Sequence, residues 1–219
     1  MNLEPSSIHI KNWSLLCTAL LSLVCFFLLA FIVSQPGTAA LETSWLRYIH
    51  PLHSPLLSSI AIALAWLGGL PALSMASLLL AGFLLQRQRH DLALFTVLSV
   101  AGAVILTWGC KWTFARVRPD VWVELVHHYG SSFPSGHSMY AVTLAGVFII
   151  SAQQTRYYTW LLAFGVVWSL SMGLSRVYLG VHFPTDVLAG WALAIAWLYG
   201  LLWFFKQFNF FNKNSANRW

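Results

Sequence analysis

The sequence predicts an all-α membrane protein, a bundle of six transmembrane helices with an interfacial helix between the first and second spans. Three observations carry that expectation. Hydrophobic residues make up 58% of the 219 positions and charged residues only 8%, against roughly 25% charged in ordinary soluble domains. Mean hydropathy is +0.70. Apolar runs also recur at lengths near the ~20 helical residues needed to cross hydrocarbon about 30 Å thick. This composition excludes a soluble globule, a disordered chain and a fibrous one, and the length suits a single membrane domain over residues 1–219.

The first run, Trp13 to Ser34, is uncharged and too long for the core of a signal peptide, so it is expected to remain as span one. Residues 35–54 mix Pro36, Gly37, Glu42, Arg47, His50, Pro51 and His53 with apolar positions, as a loop or a helix lying at the interface does. Pro55 to Leu85 is longer than one straight span requires, and Gly68, Gly69 and Pro71 break it. The second span is therefore placed at about Leu70–Leu85, after a shallow or partly buried helix. Leu92–Lys111, Ser138–Ala152, Tyr157–Leu174 and Val187–Phe205 supply the remaining four, some short enough to need tilt or local thinning. Lys206 to Trp219 reads as a polar cytoplasmic tail.

Six spans place both termini on one side. The net charge of +6 comes from 12 basic and 6 acidic residues. Lys11, Arg87, Arg89, Arg156, Lys206, Lys213 and Arg218 fall on the terminal side, and Arg47, Lys111, Arg116, Arg118 and Arg176 on the other. The more cationic side is expected to be cytoplasmic. No basic run forms a nucleic-acid groove, and Cys17, Cys25 and Cys110 lack the spacing of a disulfide framework or a zinc site.

Three polar motifs interrupt the apolar pattern. Lys111 and Arg118 stand seven residues apart, so they share a face if the helix continues between them, and Pro119 favours its end. Phe133-Pro134-Ser135-Gly136-His137 precedes the fourth span. Ser135 is a good N-cap there, and a helix N-terminus beginning at Gly136 offers N–H groups to an anion. In the segment from Ser175 to Asp186, Pro184 suits a first helical turn and Asp186 can reach back to His182. Taken singly, each motif is also explained by snorkelling cations, a plain cap or an incidental histidine. Span parity puts all three on one membrane face, and ionisable groups gathered at span ends point to a site.

Lys-x6-Arg-Pro, Pro-Ser-Gly-His and Ser-Arg-x5-His-x3-Asp resemble, in order and without substitution, the three signatures of the type 2 phosphatidic acid phosphatase superfamily, which includes vanadium haloperoxidases. The resemblance covers residues 92–205; the first 91 residues match only in the general pattern of spans. It implies a metal-independent membrane lipid phosphatase with no cofactor. His182 would be the nucleophile that forms a phosphohistidine, Asp186 its orienting carboxylate and His137 the general acid and base. Lys111, Arg118, Ser135, Gly136 and Arg176 would bind the phosphate. Family members of this kind in bacteria act on undecaprenyl diphosphate, phosphatidylglycerophosphate, phosphatidate or lipid A phosphates. Undecaprenyl diphosphate is placed first on family grounds, at an inner (plasma) membrane with the site facing the periplasm or outside. The expected partners are a lipid phosphate and the bilayer.

Phosphoryl transfer itself asks for neutralised non-bridging oxygens, an in-line nucleophile and a protonated leaving oxygen, which these residue types can provide. Phosphatidate or phosphatidylglycerophosphate hydrolysis, a lipid phosphotransferase and a non-enzymatic lipid-binding or transport protein are the alternatives. A metal mechanism would draw on Glu42, Asp120, Glu124, His50, His53, His127 and His128, and the three cations make it the less favoured route.

Overall fold

The computed structural model describes residues 11–122, 129–208 and 210–211. Among them every regular element is a helix, with no strand: α1 (Asn12–Val33), α2 (Thr38–Ile49), α3 (Pro55–Leu67), α4 (Leu70–Gln86), α5 (His90–Phe114), α6 (Gly136–Ser151), α7 (Tyr158–Tyr178) and α8 (Pro184–Gln207). A short 3-10 turn at His50–Leu52 joins α2 to α3. Glu124, His127, His128, Lys213, Arg218 and most of the expected tail lie outside the described residues.

Four helices, α1, α5, α7 and α8, are long and apolar enough to cross a membrane. The α3–α4 pair counts as a fifth candidate if its halves form one span, bent by 54° at the glycine break. The 16-residue α6 is apolar but shorter, reaching only ~24 Å at 1.5 Å per residue. Large apolar side chains such as Leu21, Phe27, Phe31, Leu79, Trp160 and Phe164 project outward from these helices. A soluble protein rarely exposes such continuous apolar surface, whereas lipid tails accept it.

Helix α8 is the centre of the bundle and packs against α1, α5, α6 and α7. Lipid already solvates apolar side chains, so close packing of small residues becomes the main source of helix–helix attraction. Ala189, Gly190, Ala192, Ala194 and Ala196 are all buried along α8. Its bulky side chains seat on glycines of the surrounding helices. Trp197 covers Gly102 of α5, Leu198 covers Gly146 of α6 and Trp191 covers Gly173 of α7, each so closely that an added Cβ would lie under 3.0 Å from the incoming group. Trp197 also donates its indole N–H to the Ser99 carbonyl at 2.9 Å. At the site end, Phe26 of α1 packs with Phe114 and Phe133, which anchors the loop carrying the second motif.

Two expectations about the ends of elements are corrected. Helix α5 runs beyond Lys111 only to Phe114, and Ala115 turns into the left-handed region at φ 45°. The helix does not persist to Arg118, so the seven-residue spacing is not what brings Lys111 and Arg118 together. Ser135 occupies the N-cap position of α6, but its side chain makes no capping bond; its hydroxyl instead accepts from Ser138 Oγ at 3.0 Å.

Candidate active site

The ends of α5, α6, α7 and α8 meet at one end of the bundle, joined by direct bonds rather than by parity alone. After the turn at Ala115 the chain doubles back. Lys111 Nζ and Arg118 Nη2 both donate to the Ser131 carbonyl, while Ser131 Oγ donates to the Lys111 carbonyl at 2.7 Å. Arg118 also donates to the carbonyls of Val181, Gly130 and Tyr129. This guanidinium thus clasps the loop before α6 to the loop before α8.

His182 lies on that second loop and is nearly fully buried. Arg118 Nη1 is 3.2 Å from its Nε2, and its Nδ1 is 3.4 Å from Asp186 Oδ2. An arginine only donates, so Nε2 carries the lone pair and Nδ1 carries the proton toward the carboxylate. The Nδ1 contact is long and too poorly directed for a formed hydrogen bond. Burial pushes the His182 pKa down to about 3, the Arg118 and Lys111 charges add to the shift, and Asp186 opposes it. The ring is therefore neutral across the physiological range.

Asp186 is fully buried in the first turn of α8, where Pro184 opens the helix. Its Oδ2 accepts from the Phe183 N–H at 2.9 Å and from Ser132 Oγ. Its Oδ1 accepts from Arg116 Nη1 at 2.5 Å. The Asp186 carbonyl takes the Ser135 N–H at 2.9 Å, tying the starts of α6 and α8 together. Gly190 permits that approach, since a Cβ there would lie 2.6 Å from the Ser135 carbonyl oxygen.

On the other flank, α3 supplies two backbone acceptors one turn apart. Arg176, buried at 1% exposure, donates to the Ala61 carbonyl at 3.2 Å and to Ser175 Oγ at 3.0 Å. His137 Nε2 is 3.1 Å from the Ala65 carbonyl. Ala65 lies in the last turn of α3, where carbonyls lack helical partners, so His137 donates to an otherwise orphaned acceptor.

All eight expected site residues therefore lie at this end of the bundle. The sequence reading did not give Arg116, Ser132, Thr185 or the α3 carbonyls a role, and it considered Glu42 only as a metal ligand. Glu42 instead pairs with Arg116. Among the described residues no three His, Cys, Asp or Glu side chains gather as metal ligands.

The family model described as the PAP2 superfamily matches residues 92–210. Phosphatidylglycerophosphatase B of Bacillus subtilis is 32% identical over 201 residues, covering 88% of this chain and 94% of that protein. An undecaprenyl-diphosphatase of Sulfolobus acidocaldarius is 28% identical over 52% of this chain and 55% of its own length. The crystal structure of a transmembrane PAP2-type phosphatidylglycerolphosphate phosphatase from Bacillus subtilis superposes with a TM-score of 0.76 at 26% identity, covering 87% of this chain and 96% of that one. With the three motifs joined in one buried cluster and a family match spanning more than half of the sequence, the chain belongs to the PAP2 superfamily of membrane phosphatases.

Proposed function

We propose that the protein hydrolyses a long-chain lipid phosphate, with a polyprenyl diphosphate such as undecaprenyl diphosphate first, through a phosphohistidine on His182. The observation that carries this reading is the His182 ring, neutral, buried and held with its Nε2 lone pair against Arg118. Where a phosphate displaces that contact, the guanidinium turns its donors to the non-bridging oxygens and Nε2 faces phosphorus. Lys111 and Arg176 add charge, and the Gly136 end of α6 adds N–H donors beside Ser135. The Nε2–P bond forms as the bond from phosphorus to the leaving oxygen breaks, and His137 protonates that oxygen. Because Nε2 of His137 donates to Ala65, the ring enters this step as an imidazolium, favoured by the negative charge of the bound phosphate, and the transferred proton is the one on Nδ1. Water then attacks phosphorus, His137 takes its proton and His182 is released.

In this reading α3 and α4 form one broken span and α6 a short one, giving six spans in a single domain over 1–219, with α2 at the interface and the motif-bearing core at 92–205. The terminal side is cytoplasmic and the site opens to the outside of an inner membrane, following the cation bias. A substrate whose head group sits at the boundary while its tail stays in hydrocarbon suits a site at the bundle end. Phosphatidylglycerophosphate is the second reading, favoured by the relative that matches over most of both chains.

Phosphate release by the purified protein, with and without chelator, tests the proposal. The expected outcome is a kcat/KM for polyprenyl diphosphate at least about 10-fold above that for a water-soluble phosphomonoester, about 1.4 kcal/mol in transition-state binding, with no chelator sensitivity. Turnover of phosphatidylglycerophosphate but not of polyprenyl diphosphate transfers the assignment to the second reading. Chelator-sensitive activity restored by a divalent ion removes the phosphohistidine scheme.

A further inference from the structure

Glu42 stands in α2, remote in sequence from every motif, yet it is buried at 2% exposure. Its Oε2 takes Arg116 Nη2 at 2.7 Å. Its Oε1 accepts from the Thr185 backbone N–H at 3.0 Å and from the Thr185 hydroxyl at 2.9 Å. The other arm of the same guanidinium, Nη1, reaches Asp186 Oδ1 at 2.5 Å and Thr185 Oγ1 at 2.9 Å, and the Arg116 plane lies 4.3 Å from the Phe183 ring centroid. Glu42, Arg116, Asp186 and His182 therefore form one continuous buried line.

Nothing in the hydrolytic chemistry uses Glu42 directly. A buried ion pair adds little net stability, because desolvation offsets most of the attraction. Its geometric effect is larger. A planar guanidinium gripped by carboxylates at both ends cannot rotate, and the carboxylate it holds is the one facing the His182 Nδ1 proton. Thr185 ties Glu42 to the residue next to Asp186 in the first turn of α8, so the two acids are fixed by a side-chain route and a backbone route together.

We infer that Glu42 is a positioning residue of the phosphatase site, acting through Arg116 and Thr185 to hold Asp186 against His182. The helix between the first two spans thereby completes the site from the half of the chain that carries no motif. The inference rests on the reading of His182 as the nucleophile.

Steady-state kinetics on purified full-length variants, with thermal unfolding recorded alongside, test it using polyprenyl diphosphate and phosphatidylglycerophosphate. Glu42→Gln preserves shape and removes the charge. Its kcat is expected to fall about 10- to 100-fold, as when an outer-shell partner is lost, while KM changes less than about 3-fold. Glu42→Asp recovers part of the loss. Added to Asp186→Asn, the Gln change lowers kcat by less than about 3-fold more, because both act through one route. A folded Glu42→Gln variant with wild-type kcat overturns the inference, as does a full multiplicative loss on top of Asp186→Asn. If Glu42→Gln does not purify folded, Thr185→Val removes the linking hydroxyl and leaves the Glu42–Arg116 pair; it should lose about 3- to 10-fold in kcat at constant KM, and an unchanged kcat is fatal to the inference. Retained turnover in His182→Ala would instead remove the nucleophile assignment, whatever Glu42 does.

Discussion

Arg116 and Arg118 are two residues apart on one extended segment, and they serve opposite sides of the same imidazole. On the Nε2 side, Arg118 and Lys111 meet at the Ser131 carbonyl, and Arg176 donates to a carbonyl and a hydroxyl. Among the described residues no carboxylate bonds to Lys111 or Arg176, so positive charge is concentrated where a phosphate would sit. On the Nδ1 side, Arg116 is held between two buried carboxylates, Glu42 and Asp186. Lys111 and Arg176 keep their charge for a ligand, whereas the charge of Arg116 is met internally and fixes geometry. The comparison shows that a cation in a buried site is read by what accepts from it, because desolvated charge with only neutral acceptors still attracts an anion.

Substitution can break that contrast, and His182→Ala should have the largest effect. Loss of the proposed nucleophile is expected to remove detectable turnover, whereas Asp186→Asn is expected to fall about 10- to 10⁴-fold through lost orientation. Both follow from phosphate release by purified protein. Asp186→Asn should also unfold at lower temperature, since it breaks a fully buried contact with Arg116. Equal residual activity in the two variants would show that the Nδ1 side does more than orient the ring.

Arg118→Ala tests the Nε2 side and should cost about 10²- to 10³-fold in kcat/KM, the usual penalty for losing a donor to developing negative charge. Inorganic phosphate or vanadate inhibition should weaken in parallel. Unchanged inhibition by either anion would mean that Arg118 only clasps the loops.

The smallest expected effect is one of pH. With its pKa pushed from 6.5 to about 3, His182 stays neutral in the folded protein as pH falls from 7 to 4, so its side-chain nitrogen shifts in labelled protein should not titrate over that range. The unfolded chain does take up the proton below about 6.5. The His182 contribution to stability is therefore intact above that pH and is lost progressively as pH falls toward 3. A nitrogen titration midpoint near 6.5 would place His182 in contact with water and remove the distinction between its two sides.

Much of the site was legible because its motifs are local. Pro184 at the first position of α8 puts Asp186 in the first turn of that helix, four residues after His182 on the loop before it, and that much follows from the local motif. The Lys111–Arg118 reading reached the right neighbourhood for a different reason: the helix stops at Phe114 and the two cations converge by chain reversal. The glycine break before Pro71 was evident, but the service of Ala61 and Ala65 as acceptors was not, since a backbone carbonyl leaves no signature in residue type.

The sequence by itself determined that the chain is helical and membrane-embedded and that its ionisable residues cluster in three motifs, because composition and short-range periodicity report solvent and local geometry. Only the tertiary structure decided that Glu42 belongs with Arg116, and that Arg116 and Arg118 part company around His182. Those pairings join residues far apart in the chain, and a charge in a mixed segment looks the same in sequence whether it faces water, lipid or a buried partner. The choice is made by which helices pack together, and here small residues along α8 and glycine notches in the helices around it bring the helix ends into contact.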